Sequence, residues 1–228
     1  MGLAGILVIS YLVGAIPTAL LAGKALRRID IREHGSRNAG ATNAWRVLGW
    51  KAGLAVLVVD LGKGVVAAAL VSRLPVGLLP LDLGNVSVLC GVAAVVGHVF
   101  PVYVGFRGGK GVATAAGMLL ATAPLPTISA AGVFLAVVLG TGFVSLGSIL
   151  AGVSLPALIP LFAHSGVGRY PPLLLALCLV LLAFILFTHR RNLVRLARGT
   201  EPRFAGLPVW KRRPPGSASG RHGAGNAL

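Results

Sequence analysis

Seven stretches of this sequence are poor in charge, and their lengths restrict the chain more than any other feature. They run at about residues 3–23, 52–72, 84–104, 111–123, 127–140, 146–163 and 171–188. A bilayer core about 30 Å thick is crossed by roughly 20 apolar residues in a helix. The chain is 56% hydrophobic and only 11% charged, well outside the composition of soluble globular domains. The expected fold is therefore an all-α, polytopic membrane bundle of about seven transmembrane helices. The shorter runs have the length of re-entrant or protein-buried segments, so five or six crossings also fit. Pro124, Pro126, Gly140 and Gly142 mark the weakest boundaries. No basic residue precedes the first run, so it reads as a retained helix and not as a signal peptide. Ile6 occupies the position where a myristoylation motif starting at Gly2 needs serine or threonine.

Charge fixes the expected orientation. Of 21 Lys and Arg residues, 18 fall after the first, third and seventh runs, and cytoplasmic loops carry such an excess. The amino terminus is expected outside and the carboxyl terminus in the cytoplasm. Residues 1–205 form the membrane domain, whereas residues 206–228, rich in Gly, Pro, Ser and Ala, read as a disordered basic tail. A net charge of +16 with 6% aromatic residues and no nucleic-acid module points to anionic lipid or an anionic substrate, not to nucleic acid. Cys90 and Cys178 sit within apolar runs without metal-type spacing and read as buried hydrophobes.

Under that orientation four polar stretches reach the cytoplasmic face: GSRNAGATNAWR, GFRGGKG, TGFVSLGS and HRRNLVRLARGTEPRF. In the first, Ser36, Asn38, Thr42, Asn43 and Arg46 combine hydroxyls, amides and a guanidinium suited to phosphate oxygens. An ordinary capped turn would look similar. The second is no Walker loop, because Val104 stands where its first glycine belongs and Gly111 follows the lysine. Nor is it a dinucleotide fingerprint, since Thr114 replaces the third glycine. Its Gly108 and Gly109 would let backbone approach a ligand, and Lys110 stands where a helix beginning at Gly111 offers its positive end.

The last two stretches supply Ser145, and His189 with Asn192 on one helical face. Histidine is a natural general base, and asparagine can orient a hydroxyl or donate to an oxyanion. Asp60 and Lys63, three residues apart within the second run, read as a structural ion pair, and His98 as a hydrogen-bonded structural histidine. With only Asp30, Glu33, Asp60, Asp82 and Glu201 as carboxylates, no aspartate cluster for magnesium is supported, and neither metal nor cofactor is called for. None of the five histidines begins an HxxxxD pattern.

In that order GSRNAGATNAWRVLG, GHVFPVYVGFRGGKGVATAAG, GFVSLGS and HRRNLVRLARGTEPRF resemble the bacterial acyl-phosphate:glycerol-3-phosphate acyltransferases, the PlsY family. The similarity runs from GAIPTALLAGK to about Phe204. One departure is Arg37, where the family usually has glycine. The resemblance implies an inner-membrane enzyme that moves a fatty acyl group from acyl phosphate to the sn-1 hydroxyl of glycerol 3-phosphate, giving lysophosphatidic acid and phosphate. It also implies that Gly108, Gly109 and Lys110 grip substrate phosphates with Ser36, Thr42 and Arg46, while Ser145, His189 and Asn192 close the pocket around the glycerol hydroxyl. An acyl phosphate carries a good leaving group, so direct attack without an acyl-enzyme is expected, the proton going to His189 or to the donor's phosphate. The alternative is a secondary transporter of a phosphorylated metabolite, which would bind near the midplane and carry internal repeats.

Overall fold

The computed structural model describes residues 2–204 apart from 76 and 78–80. The tail at 206–228 lies outside the described residues. Within them every regular element is helical. The α-helices are α1 (Leu3–Ala15), α2 (Thr18–Arg27), α3 (Ala41–Leu48), α4 (Trp50–Ala69), α5 (Leu83–Val99), α6 (Val112–Thr122), α7 (Pro124–Thr141), α8 (Val144–His164), α9 (Pro172–Thr188) and α10 (Arg190–Ala197).

Five elements among the described residues are long and apolar enough to cross a membrane: Leu3–Arg27, Trp50–Arg73, Leu83–Val104, Pro124–Thr141 and Val144–His164. A sixth, α9, bends by 60° into α10. The fourth apolar run behaves differently from the others. It yields only the 11-residue α6, about 16 Å long at 1.5 Å per residue, which is roughly half a bilayer core. α6 continues through Ala123 into α7 and buries Thr114, Ala115, Gly117, Met118 and Leu119 inside the protein.

Close helix contacts come from glycine. A Cβ on Gly64 would strike the Thr114 carbonyl, and one on Gly117 would strike that of Leu61, so α4 and α6 meet backbone to backbone. Gly14 and Gly97 do the same for α1 and α5, against Ala94 and Tyr11. Between helices in lipid such approach is the main source of attraction, because burial of apolar side chains gains little there.

Pro17 breaks the first crossing: the residue before a proline is pushed out of the helical region, and Ile16 sits at φ −54°, ψ 116°. The break frees the Ile16 carbonyl. Lys63 takes it at 2.5 Å while pairing with Asp60 Oδ1 at 2.6 Å, and the Thr114 hydroxyl donates to the Asp60 carbonyl oxygen at 2.9 Å. The two intramembrane charges thus join the broken first crossing to α4 and α6, as a structural pair should. His98 Nδ1 lies 3.6 Å from the same carboxylate.

α4, α5 and α6 pack closely with one another, and α8 packs against both α7 and α9. An apolar core ties the two groups together through Val88 and Val95 of α5, Met118 and Leu119 of α6, Ala130 of α7, Leu155 and Ile159 of α8, and Cys178 and Leu181 of α9. Cys90 lies in a second buried cluster with Ile6, Val71 and Val86. Beside the core the two groups separate and enclose a cavity.

Candidate active site

That cavity has a volume of about 340 Å³ and is reached by all four polar stretches. Ser36, Asn38, Thr42, Asn43, Arg46, Lys110, Ser145, His189 and Asn192 line it. Four helix N-termini meet at this end: Ala41 and Thr42 open α3, Val112 and Ala113 open α6, Val144 and Ser145 open α8, and Asn192 lies in the first turn of α10. The first amides of a helix have no intrahelical acceptor, and the helix dipole adds partial positive charge there. Convergence of several such ends makes a receptor for oxygen anions.

The first loop is held by Asn43. Its Nδ2 donates to the carbonyls of Ile31 and His34, both at 3.0 Å, and its Oδ1 accepts from the Ser36 amide at 2.8 Å. Asn43 therefore shapes the loop that presents Ser36; its polar atoms are engaged with backbone. Arg37 has φ +59°, in the left-handed region that favours glycine. The Arg37 side chain does not line the cavity, although Ser36 and Asn38 on either side of it do.

Gly108 and Gly109, expected to let backbone approach a ligand, are held by the end of α5. Their amides donate to the carbonyls of Val99 and His98, at 3.1 and 3.2 Å, and neither residue lines the main cavity. A Cβ on Gly108 would collide with the His98 carbonyl, and one on Gly109 with His98 Nε2 and the Ala39 carbonyl at 2.7 Å. The glycines let the loop fold flat onto the end of α5. That packing aims Lys110 into the cavity.

Lys110 donates through Nζ to Asn192 Oδ1, and Asn192 Nδ2 donates to Glu201 Oε1 at 2.5 Å. The Ser145 hydroxyl also donates to Glu201 Oε1, at 2.7 Å, and Arg195 Nε to Oε2 at 2.7 Å. Burial opposes ionisation of Glu201, but the hydrogen bonds from Arg195, Asn192 and Ser145 outweigh it and hold its carboxyl below the usual range. Burial pushes Lys110 down to about 8, opposed by Glu201 and reinforced by Arg195. Arg195 pairs directly with Glu201, whereas Lys110 and Arg46 line the cavity with no salt bridge to a carboxylate among the described residues.

His189 follows the last residue of α9 and is 2% exposed. Its Nδ1 faces the Ile185 carbonyl at 2.9 Å; a carbonyl can only accept, so Nδ1 carries the hydrogen and Nε2 keeps a lone pair. Burial and the adjacent Lys110 charge push its pKa down to about 4, so the ring is neutral near pH 7.

Sequence reasoning missed Glu201 and Arg195, both on the cavity wall. Arg195 lies three residues after Asn192, on the same face of α10, and that spacing could have revealed it. Glu201 lies beyond a turn at Gly199, φ +68°, where helical spacing gives no guide. After it the chain returns across the cavity: the Phe204 amide donates to the Gly142 carbonyl at 2.8 Å, the Phe204 ring lies 5.2 Å from that of Trp45, and Arg203 stacks over Phe143.

Away from its polar end the cavity is apolar, walled by Leu57 and Leu61 of α4, Ala116 and Leu119 of α6, Ala130 and Phe134 of α7, Ala151 and Leu155 of α8, and Ile185 of α9. A cationic, amide-rich end joined to an apolar limb suits an amphiphile with an anionic head.

Comparison with known proteins agrees with this geometry. The family model described as glycerol-3-phosphate acyltransferase matches residues 4–199. A glycerol-3-phosphate acyltransferase of Chlorobium phaeobacteroides is 47% identical over 226 residues, covering 88% of this chain and 96% of the relative. That of Chlorobaculum tepidum is 44% identical, with coverages of 88% and 95%. Among solved structures, the glycerol 3-phosphate form of PlsY (YgiH), an integral membrane glycerol 3-phosphate acyltransferase, superposes with a TM-score of 0.76 at 34% identity, covering 92% of this chain and 99% of that one. Its lysophosphatidic acid form gives 0.74 at 36% identity, covering 91% and 97%. With the family model matched over nearly the whole helical region, this multi-pass membrane protein belongs to the glycerol-3-phosphate acyltransferase family.

Proposed function

We propose that this protein transfers a fatty acyl group from acyl phosphate to the sn-1 hydroxyl of glycerol 3-phosphate, releasing lysophosphatidic acid and inorganic phosphate. It does so at the cytoplasmic face of a bacterial inner membrane. The observation that carries the reading is the two-part cavity, with Lys110, Arg46 and four helix N-termini at one end and an apolar limb at the other. An acyl phosphate needs both parts, whereas glycerol 3-phosphate needs only the first.

The chemistry follows from orientation and charge. The glycerol hydroxyl oxygen attacks the acyl carbonyl carbon, the carbon–oxygen bond to phosphate breaks, and phosphate leaves with the electron pair. Lys110 and the amides at the starts of α3, α6 and α8 stabilise the phosphate oxygens and the transient oxyanion. His189, neutral and fixed by Ile185, accepts the hydroxyl's hydrogen bond through Nε2 and aims it. A base held at about 4 is a poor final proton acceptor, while a phosphate oxygen with a pKa near 6 is better. The proton therefore goes to the departing phosphate. Ser36 and Ser145 bind; no covalent acyl-serine forms.

The test is purified protein in detergent with glycerol 3-phosphate and either palmitoyl phosphate or palmitoyl-CoA. Lysophosphatidic acid and phosphate in equal amounts are expected from the first donor and little product from the second. Product from palmitoyl-CoA alone would contradict the donor assignment, and product from neither would contradict the function.

A further inference from the structure

We infer that Gly152 and Leu155 of α8 set the length of acyl chain the protein accepts; the inference rests on the acyl-transfer reading above. Both residues line the apolar limb, on the helix whose first turn carries Ser145 at the polar end. Leu155 lies ten residues after Ser145, a distance of about 15 Å along a helix rising 1.5 Å per residue. That equals one leaflet of a hydrocarbon core about 30 Å thick.

The limb ends there for a reason visible in the packing. Leu155, Leu119 and Ala130 line the cavity and also belong to the contiguous apolar core, so they form the wall where open space gives way to close packing. Leu155 is the largest side chain that α8 contributes to this wall.

Gly152 lies seven residues after Ser145, about 10 Å along α8. It contributes no side chain to the wall, so the limb stays open past this depth. A Cβ added here would meet Ile185 Cδ1 at 3.2 Å and Leu182 Cδ1 at 3.9 Å, both ends of flexible side chains and neither of them backbone. A larger residue would be accommodated by movement of the Ile185 end, itself on the cavity wall, and the two side chains together would narrow the passage between the polar end and Leu155. Gly152 is an open gate in the limb and Leu155 its stop.

Wild type, Gly152→Leu and Leu155→Ala would be assayed with decanoyl, myristoyl and stearoyl phosphate, reading the ratio of kcat/KM between donors within each preparation. That ratio is independent of how much protein folds. Even one methylene changes apolar-pocket discrimination tenfold or more. Gly152→Leu should lower the stearoyl-to-decanoyl ratio by at least about tenfold, and Leu155→Ala should raise it several-fold. If wild type acylates glycerol 3-phosphate but both variants change all three donors by one factor, the inference is overturned while the acyl-transfer reading stands. If wild type uses none of the three donors, both fall together.

Discussion

Lys110 shows how one side chain takes its role from its surroundings. Its loop is folded against α5, its ammonium is buried enough to be held at about 8, and its hydrogen bond to Asn192 directs it into the cavity. Lys110→Ala is expected to lower kcat/KM by about 10²–10³, the range found when one preorganised oxyanion donor is lost. An unchanged rate would remove the lysine from the reaction. In the free enzyme the ammonium deprotonates as pH rises through about 8, so kcat/KM for glycerol 3-phosphate should fall roughly tenfold per pH unit above that point. Lys110→Arg keeps its charge in that range; a pH profile that still falls in this variant would assign the titration elsewhere. Arg37 is a separate case, because its φ of +59° costs a non-glycine residue about 1–2 kcal/mol. Arg37→Gly should stabilise the protein by about 0.5–1 kcal/mol after the glycine's greater freedom in the unfolded chain is subtracted, measured as a rise in Tm. The polar residues of the site were legible because they interrupt an apolar chain in four compact clusters. The work of Gly108, Gly109 and Asn43 was not, since a sequence shows a glycine or an amide but not the neighbouring carbonyls it must approach or satisfy.

At the level of helices, the apolar runs became elements close to their expected limits, the first divided by Pro17 into α1 and α2, because length and hydropathy determine what a membrane helix can bury. The exception is α6. A run of 13 apolar residues fits both a short crossing and a buried segment, and only its packing on α4 and its passage into α7 show how it is used. That packing predicts an asymmetry between two glycines. Gly117→Leu would drive a side chain into the Leu61 carbonyl and should destabilise the protein by more than about 3 kcal/mol. Gly132→Leu on α7, with nothing within 4 Å of its added Cβ, should leave the unfolding temperature nearly unchanged. Thermal unfolding in detergent compares the two directly, and equal shifts would mean that α4 and α6 are not in backbone contact. Loss of the buried Lys63 by Lys63→Ala should be severe as well, about 3–5 kcal/mol, because the Asp60 charge would remain unpaired.

For the molecule as a whole, the essential feature is convergence: residues as far apart in sequence as Ser36, Lys110, Ser145 and His189 line one cavity. The excess of Lys and Arg after alternate runs suggested that these segments share a membrane face, but charge counting cannot place them within contact distance. Glycine-mediated packing of α4 on α6 and the bend between α9 and α10 do that. If both substrates occupy this cavity together, acyl transfer is direct, and the decisive measurement is initial velocity with acyl phosphate and glycerol 3-phosphate varied independently. The account predicts intersecting double-reciprocal lines, the signature of a complex holding both substrates, with no acylated protein recovered when donor is supplied alone. Parallel lines together with a trapped acyl-serine would contradict it.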